Sequence, residues 1–196
     1  MRKQFITACL YTLVTTVLLG LGYPLAVTGL AHLLMPAKAN GELITKNGVV
    51  VGSKLIGQPF TGSGYFNSRP SAAGSGYDAS NSSGSNLGPT NASLIARVEQ
   101  SVQSWKSREA KVGNGNANVP VDLVTTSGSG LDPDITVAAA EYQAPSVAQS
   151  RGLPQNQVEH LVQSHIEPRQ FGFLGEPRVN VLELNLALDT LSTQQK

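Results

Sequence analysis

The sequence predicts an α+β protein: a single N-terminal transmembrane helix followed by a mixed α/β extracytoplasmic domain. Three observations carry that expectation. After Arg2 and Lys3 no Asp, Glu, Lys or Arg occurs before Lys38, and Phe5 to Leu34 is almost entirely apolar or small. Beyond that run, apolar residues at helical spacing alternate with short β-prone stretches. The chain of 196 residues carries a net charge of +1 and one cysteine, Cys9. That balance offers no basic face for nucleic acid, and one cysteine excludes an internal disulfide framework and a cysteine-based zinc site.

A helix rises about 1.5 Å per residue, so roughly 20 residues cross the hydrocarbon core. The apolar run exceeds that length, even allowing for tilt or a break at Gly20, Gly22 and Pro24. Arg2-Lys3 and Ala37-Lys38-Ala39 match the two ends of a secretory signal, but a signal's apolar centre spans only about 7–15 residues. The run therefore reads as an uncleaved anchor, with 1–35 a cytoplasmic stub and transmembrane helix and 36–196 a periplasmic domain. Arg2 and Lys3 hold the N-terminus in the cytoplasm of a bacterial inner membrane by the positive-inside rule. Gly20, Gly22, Ala26 and Gly29 are small enough to let partner helices approach closely. With Arg2 and Lys3 set aside, 12 Lys/Arg and 13 Asp/Glu leave the exported part nearly neutral.

Leu43-Ile44, Lys46-Asn47-Gly48 and Val49-Val50-Val51 predict a β-hairpin, because Asn-Gly favours the tight turn with two positive φ angles. Its second strand is expected to extend through Leu55-Ile56. Residues 61–93 are biased, with 19 of 33 being Gly, Ser or Asn. Tyr65, Phe66, Tyr77 and Leu87 supply apolar anchors, and Pro70 and Pro89 stiffen the backbone, so this segment reads as a long ordered loop. Such loops are usually functional. Thr90 or Asn91 can cap the next helix, where Leu94, Ile95, Val98, Val102 and Trp105 recur at helical spacing before Gly113-Asn114-Gly115-Asn116 stops it. Val121 to Val124 predicts a strand. Asp132-Pro133 predicts an N-cap and first-turn proline opening a helix through Ala138-Ala139-Ala140, with Pro145 ending it or starting another. Gly152-Leu153-Pro154 is a break. Gln155 to Ile166 predicts a helix, and 178–184 a strand before a short closing helix.

No pattern carries catalysis by itself. Gly48-Val-Val-Val-Gly52-Ser53-Lys54 has the wrong spacing and order for a phosphate loop. Gly128-Ser129-Gly130 is not a nucleophile elbow, and capping suits Asp132 better than a triad with His160 or His165. Those two histidines are five apart, not the four that places a metal pair on one helix face. Arg69-Pro70-Ser71, after Tyr65-Phe66, reads either as an exposed recognition turn or as an arginine holding loop carbonyls while the aromatics pack.

A set of phrases in order resembles the C subunit of the bacterial potassium-transporting P-type ATPase, the KdpC family. They begin with Gly52-Ser53-Lys54-Leu55-Ile56-Gly57-Gln58, Tyr65-Phe66 with Arg69-Pro70-Ser71-Ala72, and Gly84-Ser85-Asn86-Leu87-Gly88-Pro89-Thr90-Asn91. Asp122-Leu123-Val124-Thr125 then leads into Ser127-Gly128-Ser129-Gly130-Leu131-Asp132-Pro133. Val147-Ala148 with Arg151-Gly152, Gly175-Glu176, and Val179-Asn180-Val181-Leu182 with Leu184-Asn185-Leu186-Ala187-Leu188-Asp189 complete the set, so the resemblance spans the whole chain. The family often has Gly at Ser83 and His at Asp134, and its serine-glycine stretch has been likened to the signature motif of ABC-type ATPases.

The resemblance implies an accessory, non-catalytic subunit of an inner-membrane complex. Its partners would be a potassium-channel-like subunit, a P-type ATPase subunit and a small membrane subunit. It further implies assembly support and a catalytic-chaperone action that raises the pump's ATP affinity, with ATP and potassium handled by the partner subunits and no cofactor bound directly. Partner contact or shared family motif is expected at Tyr65, Phe66, Arg69, Pro70, Ser71, Gly84, Ser85, Asn86, Pro89, Asn91, Gly128, Gly130 and Asp132. The alternative is a stand-alone, membrane-anchored periplasmic solute-binding or hydrolytic domain.

Overall fold

An apolar run free of charge after Lys3 gives the chain one long helix at its start. A computed structural model describes residues 1–193 and divides them between two units, one of Met1–Val51 and one from Gly52 onward. In the first unit, α1 (Arg2–Thr15), a π-helical stretch (Thr16–Gly22) and α2 (Tyr23–Leu34) run on as a single helix of 33 residues. At about 1.5 Å per residue this spans roughly 50 Å, more than the hydrocarbon core requires. None of its residues is buried. The helix is not broken at Gly20, Gly22 and Pro24 but takes a widened turn there. Pro24 offers no N–H to the carbonyl of Gly20 and crowds it, and the π stretch just before it absorbs the mismatch without stopping the helix.

A short helix α3 (Pro36–Ala39) follows, then β1 (Leu43–Lys46) and β2 (Val49–Ser53), which pair as a two-stranded sheet. Asn47 and Gly48 turn between them at φ 54° and 79°, as the Asn-Gly signal requires. The second strand stops at Ser53 rather than reaching Ile56. Ser53 takes a turn there, its hydroxyl accepting from the N–H of Leu55 at 3.1 Å and its carbonyl from Ile56 at 3.4 Å.

In the second unit the helices are α4 (Ala92–Ala110), α5 (Val137–Arg151), α6 (Gln155–Ser164) and α7 (Val181–Thr193). A three-stranded antiparallel sheet has the order β3 (Asp134–Thr136), β5 (Arg178–Asn180), β4 (Ile166–Glu167), with Ile135 opposite Val179 and Ile166 opposite Val179. The core is aliphatic and alanine-rich. Ala139, Ala140, Ala144 and Val147 from α5 meet Val158 and Val162 from α6 and Leu184 and Leu188 from α7, around Phe66, Leu123, Ile135 and Val179. Small residues along α5 let α6 lie close to it, and apolar burial supplies the drive at about 25 cal/mol per Å².

Several expected elements differ. Val121–Leu123 is a 3-10 turn, not a strand. Asp122 and Leu123 are both buried, and a strand would send consecutive side chains to opposite faces. The turn lets the Asp122 carboxylate accept from the N–H (2.8 Å) and hydroxyl (3.2 Å) of Thr136 while Leu123 enters the core. Asp132-Pro133 does not open a helix. The residues after it form β3, and Thr136 caps α5 by accepting from Ala139. Pro145 lies inside α5 rather than at an end, and the residue whose carbonyl it leaves without an intrahelical donor, Glu141, is exposed. Finally, α6 ends at Ser164 and β5 ends at Asn180, whose side chain accepts from the N–H of Glu183 at 3.1 Å and starts α7.

A loop cluster as the candidate functional site

Residues 61–91 contain no helix or strand, yet their backbone is held at many points. Two buried amides hold it at Phe66 and Asn67. Asn185 on α7 accepts from the N–H of Phe66 and donates to its carbonyl, both at 2.9 Å. Gln143 on α5 accepts from the N–H of Asn67 at 2.8 Å and donates to its carbonyl at 3.2 Å. Each amide does for one residue what a neighbouring strand would do, so an extended segment crosses the domain without a sheet. Buried backbone groups require such partners.

Two arginines clamp the same segment. Arg151 donates to the carbonyl of Gly64 at 2.6 Å, pairs with Asp189 at 2.8 Å and lies 4.3 Å from the Tyr65 ring centroid. Arg108 donates to the carbonyl of Ser63 at 3.1 Å, to the side-chain oxygen of Asn67 and to the Ser146 hydroxyl at 3.2 Å. Phe66 is wholly buried, so it anchors the loop and its side chain is not presented at the surface. Tyr65 is half-buried against Phe60 and Arg151.

The shared phrases converge on a second knot. Arg69 pairs with Asp132 at 3.1 Å and reaches the carbonyl of Thr126 at 3.4 Å, so the arginine holds the Ser127–Pro133 turn, the second of its two sequence readings. Asp132 also accepts from the N–H of Asp134 at 3.1 Å. The Ser71 hydroxyl accepts from Tyr77 at 2.7 Å and from Ala73 at 3.2 Å, while the Tyr77 hydroxyl donates to the carbonyl of Arg69 at 2.5 Å. Ser82 and Ser83 donate to the carbonyls of Ser129 and Ala72, each at 2.9 Å. Gly130 has φ 68°, and a Cβ there would lie 2.5 Å from the carbonyl oxygen of Ser83 and 2.7 Å from the N–H of Ala73. Only glycine fits. Gly57 is constrained similarly, a Cβ falling 2.5 Å from the carbonyl oxygen of Asp132. Gly128 is exposed with open space around it.

Beyond the knot the loop turns outward. Gly84 and Ser85 are half-buried, while Asn86, Leu87, Pro89 and Asn91 are exposed, as is Ser129. Asn86 takes φ 52°. Asn91 caps α4, accepting from Ser93 and Leu94 at 2.9 and 3.3 Å. Pro70 is half-buried beside Ser68, Trp105 and Leu123 along a shallow recess.

A chain of ion pairs borders the sheet. Lys54 bridges Glu167 and Glu183 at 2.9 and 3.0 Å, and Arg178 bridges Glu167 and Asp134 at 2.7 and 2.8 Å. The hydrogen bond to Glu167 holds the Lys54 ammonium above its ordinary value. Burial pushes the Asp134 carboxyl up, against the pull of Arg178. Arg69, Asp122, Asp132, Asp134 and Arg178 line an open recess of about 240 Å³, in which opposite charges answer one another. Among the described residues no group of three or more His, Cys, Asp or Glu is placed to hold a metal ion. His165 turns its Nδ1 to the carbonyl of Leu161 at 2.8 Å, while His160 is exposed on α6.

The sequence reading has no role for Gln143 or Asn67, and Asn185 and Arg151 enter it only within shared phrases. For Gln143 and Asn185 the signal was a lone amide inside an otherwise apolar helical stretch, Leu184-Asn185-Leu186 being the clearest instance. Comparison with known proteins adds what geometry alone does not. Residues 5–190 match the family model described as "KdpC: K+-transporting ATPase, c chain". This chain belongs to the KdpC family. A relative from Koribacter versatilis, named Potassium-transporting ATPase KdpC subunit, is 59% identical over 189 residues, covering 96% of this chain and 95% of the relative. Relatives of the same name from Acidobacterium capsulatum and Mycobacterium tuberculosis are 60% identical over 185 residues (94% and 97% covered) and 53% identical over 193 residues (97% and 100% covered). As a KdpC-family chain it is a subunit of a potassium-transporting ATPase complex, with one N-terminal helix long and apolar enough to span a membrane. The reading as a stand-alone domain gives way to this.

Proposed function

We propose that this chain is a non-catalytic accessory subunit that supports assembly of an ATP-driven potassium uptake complex and raises the nucleotide affinity of its ATPase subunit. The observation that carries the reading is the family match over nearly the whole chain. Its partners are a potassium-channel-like subunit, a P-type ATPase subunit and a small membrane subunit. The N-terminal helix packs among partner helices through Gly20, Gly22, Ala26 and Gly29, and the domain after residue 36 lies in the periplasm. ATP is cytoplasmic, so the effect on nucleotide affinity is a coupling through the partner subunits, not a contact. Within the loop cluster, Ser85, Asn86, Pro89 and Asn91 supply partner contact with Gly84 beneath them. Tyr65, Phe66, Arg69, Pro70, Ser71, Gly128, Gly130 and Asp132 set the loop that presents them.

The test is potassium-dependent ATP hydrolysis by the purified complex with and without this subunit. Loss of the subunit should raise the KM for ATP about fivefold or more, the lower end of ordinary coupling, with kcat little changed. An unaltered KM in a complex that stays together would overturn the chaperone action.

A further inference from the structure

The segment between β4 and β5 carries two phenylalanines left largely exposed by the described residues. Phe171 and Phe173 are 87% and 70% exposed, and Leu174 beside them is 46% exposed. This is not a loose end of chain. Gln170 and Leu174 form an antiparallel bridge, with N–H to carbonyl bonds in both directions at 3.0 and 2.9 Å. Gly172 donates to the carbonyl of Arg169 at 3.1 Å, and Arg169 pairs with Glu176 at 2.5 Å across the base. Phe171 sits at φ 52°, a conformation a bulky side chain rarely adopts. Such outliers persist where surrounding structure enforces them and cluster at sites of function. The turn is a rigid, electrically neutral tip that holds large apolar groups in water.

We propose that this tip, Phe171-Gly172-Phe173-Leu174, is an anchor that docks into an apolar socket on another subunit of the same pump. This rests on the accessory-subunit reading. Three considerations select that occupant. The chain belongs to a family of ATPase subunits, so other chains are present to cover the tip. An aromatic side chain buries about 150–250 Å², so the tip covers only a few hundred Å², well short of the roughly 800 Å² per partner of a stable stand-alone interface. That is too little to hold a dimer of this chain. It suffices as a hot spot within a complex whose members are already concentrated by a shared membrane. Lastly, the tip itself carries no basic residue, and Arg169 at its base is paired with Glu176, so the turn offers no cation of the kind that draws an interfacial loop to anionic lipid. Preorganisation favours a shaped protein pocket, because the ordering cost is met before binding.

The test places a photo-crosslinking phenylalanine analogue at 173 in the full-length chain, expressed with the whole pump in membranes. Crosslinked products are identified by mass spectrometry. The expected product joins position 173 to a pump subunit, and its yield falls at least tenfold when Phe171→Ser is added. Crosslinks only to lipid, only to a second copy, or none at all while the chain still co-purifies with the pump, overturn the tip proposal and leave the accessory role standing. Failure of the chain to co-purify with any pump subunit overturns both. Because both side chains are exposed, the Phe171→Ser/Phe173→Ser chain should melt within a few degrees of the unaltered protein. A large loss of Tm would mean the tip packs within its own domain, which also refutes the proposal.

Discussion

Replacing Asn185 by leucine removes one of the two side chains that stand in for a sheet at Phe66 and Asn67. Leucine is close to asparagine in size and suits α7, so packing is largely kept. What is lost is the pair of 2.9 Å bonds to the N–H and carbonyl of Phe66. Asn185 is 1% exposed and Phe66 is wholly buried, so water does not readily replace them. Each orphaned buried group costs about 1–3 kcal/mol, and partial relaxation brings the pair to roughly 2–4 kcal/mol. For a domain of this size 1 kcal/mol moves Tm by about 3–4 °C, so Asn185→Leu should lower Tm by roughly 6–15 °C. The assay is built in. Trp105 is the single tryptophan, its indole donating to the carbonyl of Leu123 at 3.1 Å and its ring 6.2 Å from that of Tyr142. Its fluorescence therefore reports unfolding of this domain and not of the membrane helix. Limited proteolysis should find new cleavage within 61–70. A Tm within 2 °C of the unaltered protein, with the same cleavage pattern, would refute the claim that buried amides order the loop.

Other expectations follow from the same geometry. Gly130→Ala should cost several °C in Tm, because its Cβ meets Ser83 and Ala73, whereas Gly128→Ala, with open space around it, should be neutral within about 0.5 kcal/mol. Burial pushes the Glu109 carboxyl above its ordinary value of 4.5. The folded state then holds that proton more tightly, and stability falls as pH rises from about 4.5 through the raised value. Glu109→Gln should accordingly gain Tm at pH 7 and lose that advantage near pH 4, as followed by Trp105 fluorescence. Arg151→Lys breaks the Tyr65 and Gly64 contacts together and should speed protease cleavage near residue 64, since lysine cannot reproduce the planar guanidinium. In a Cys9→Ser background, Ser75→Cys should react with a membrane-impermeant thiol reagent added outside intact inner membranes. Labelling only after the membrane is broken would reverse the proposed orientation.

The parts of the fold written in local chemistry were legible. The membrane-length helix follows from a run without charge, the hairpin from Asn47-Gly48, the start of α4 from Asn91 and the break before α6 from Gly152. The misreadings share one cause, which is tertiary demand overriding a local signal. Asp132-Pro133 has the form of a helix start, but Asp132 is engaged by Arg69 and the residues after it are claimed by β5. Val121 to Val124 is β-prone, but Asp122 and Leu123 must both point inward. The site was legible as a biased segment with anchors, not as a mechanism for holding it, because Gln143 and Asn185 act on residues far away in sequence. Nothing in the sequence marks the Phe171–Leu174 tip, because exposure is set by the tertiary fold.

The most direct test of the accessory role is mild-detergent affinity purification of the tagged full-length chain, with mass spectrometry of what accompanies it. The account predicts a P-type ATPase subunit and a large potassium-channel-like subunit in stable proportion to the chain. Recovery of the chain alone, under conditions that keep other membrane complexes whole, would contradict it.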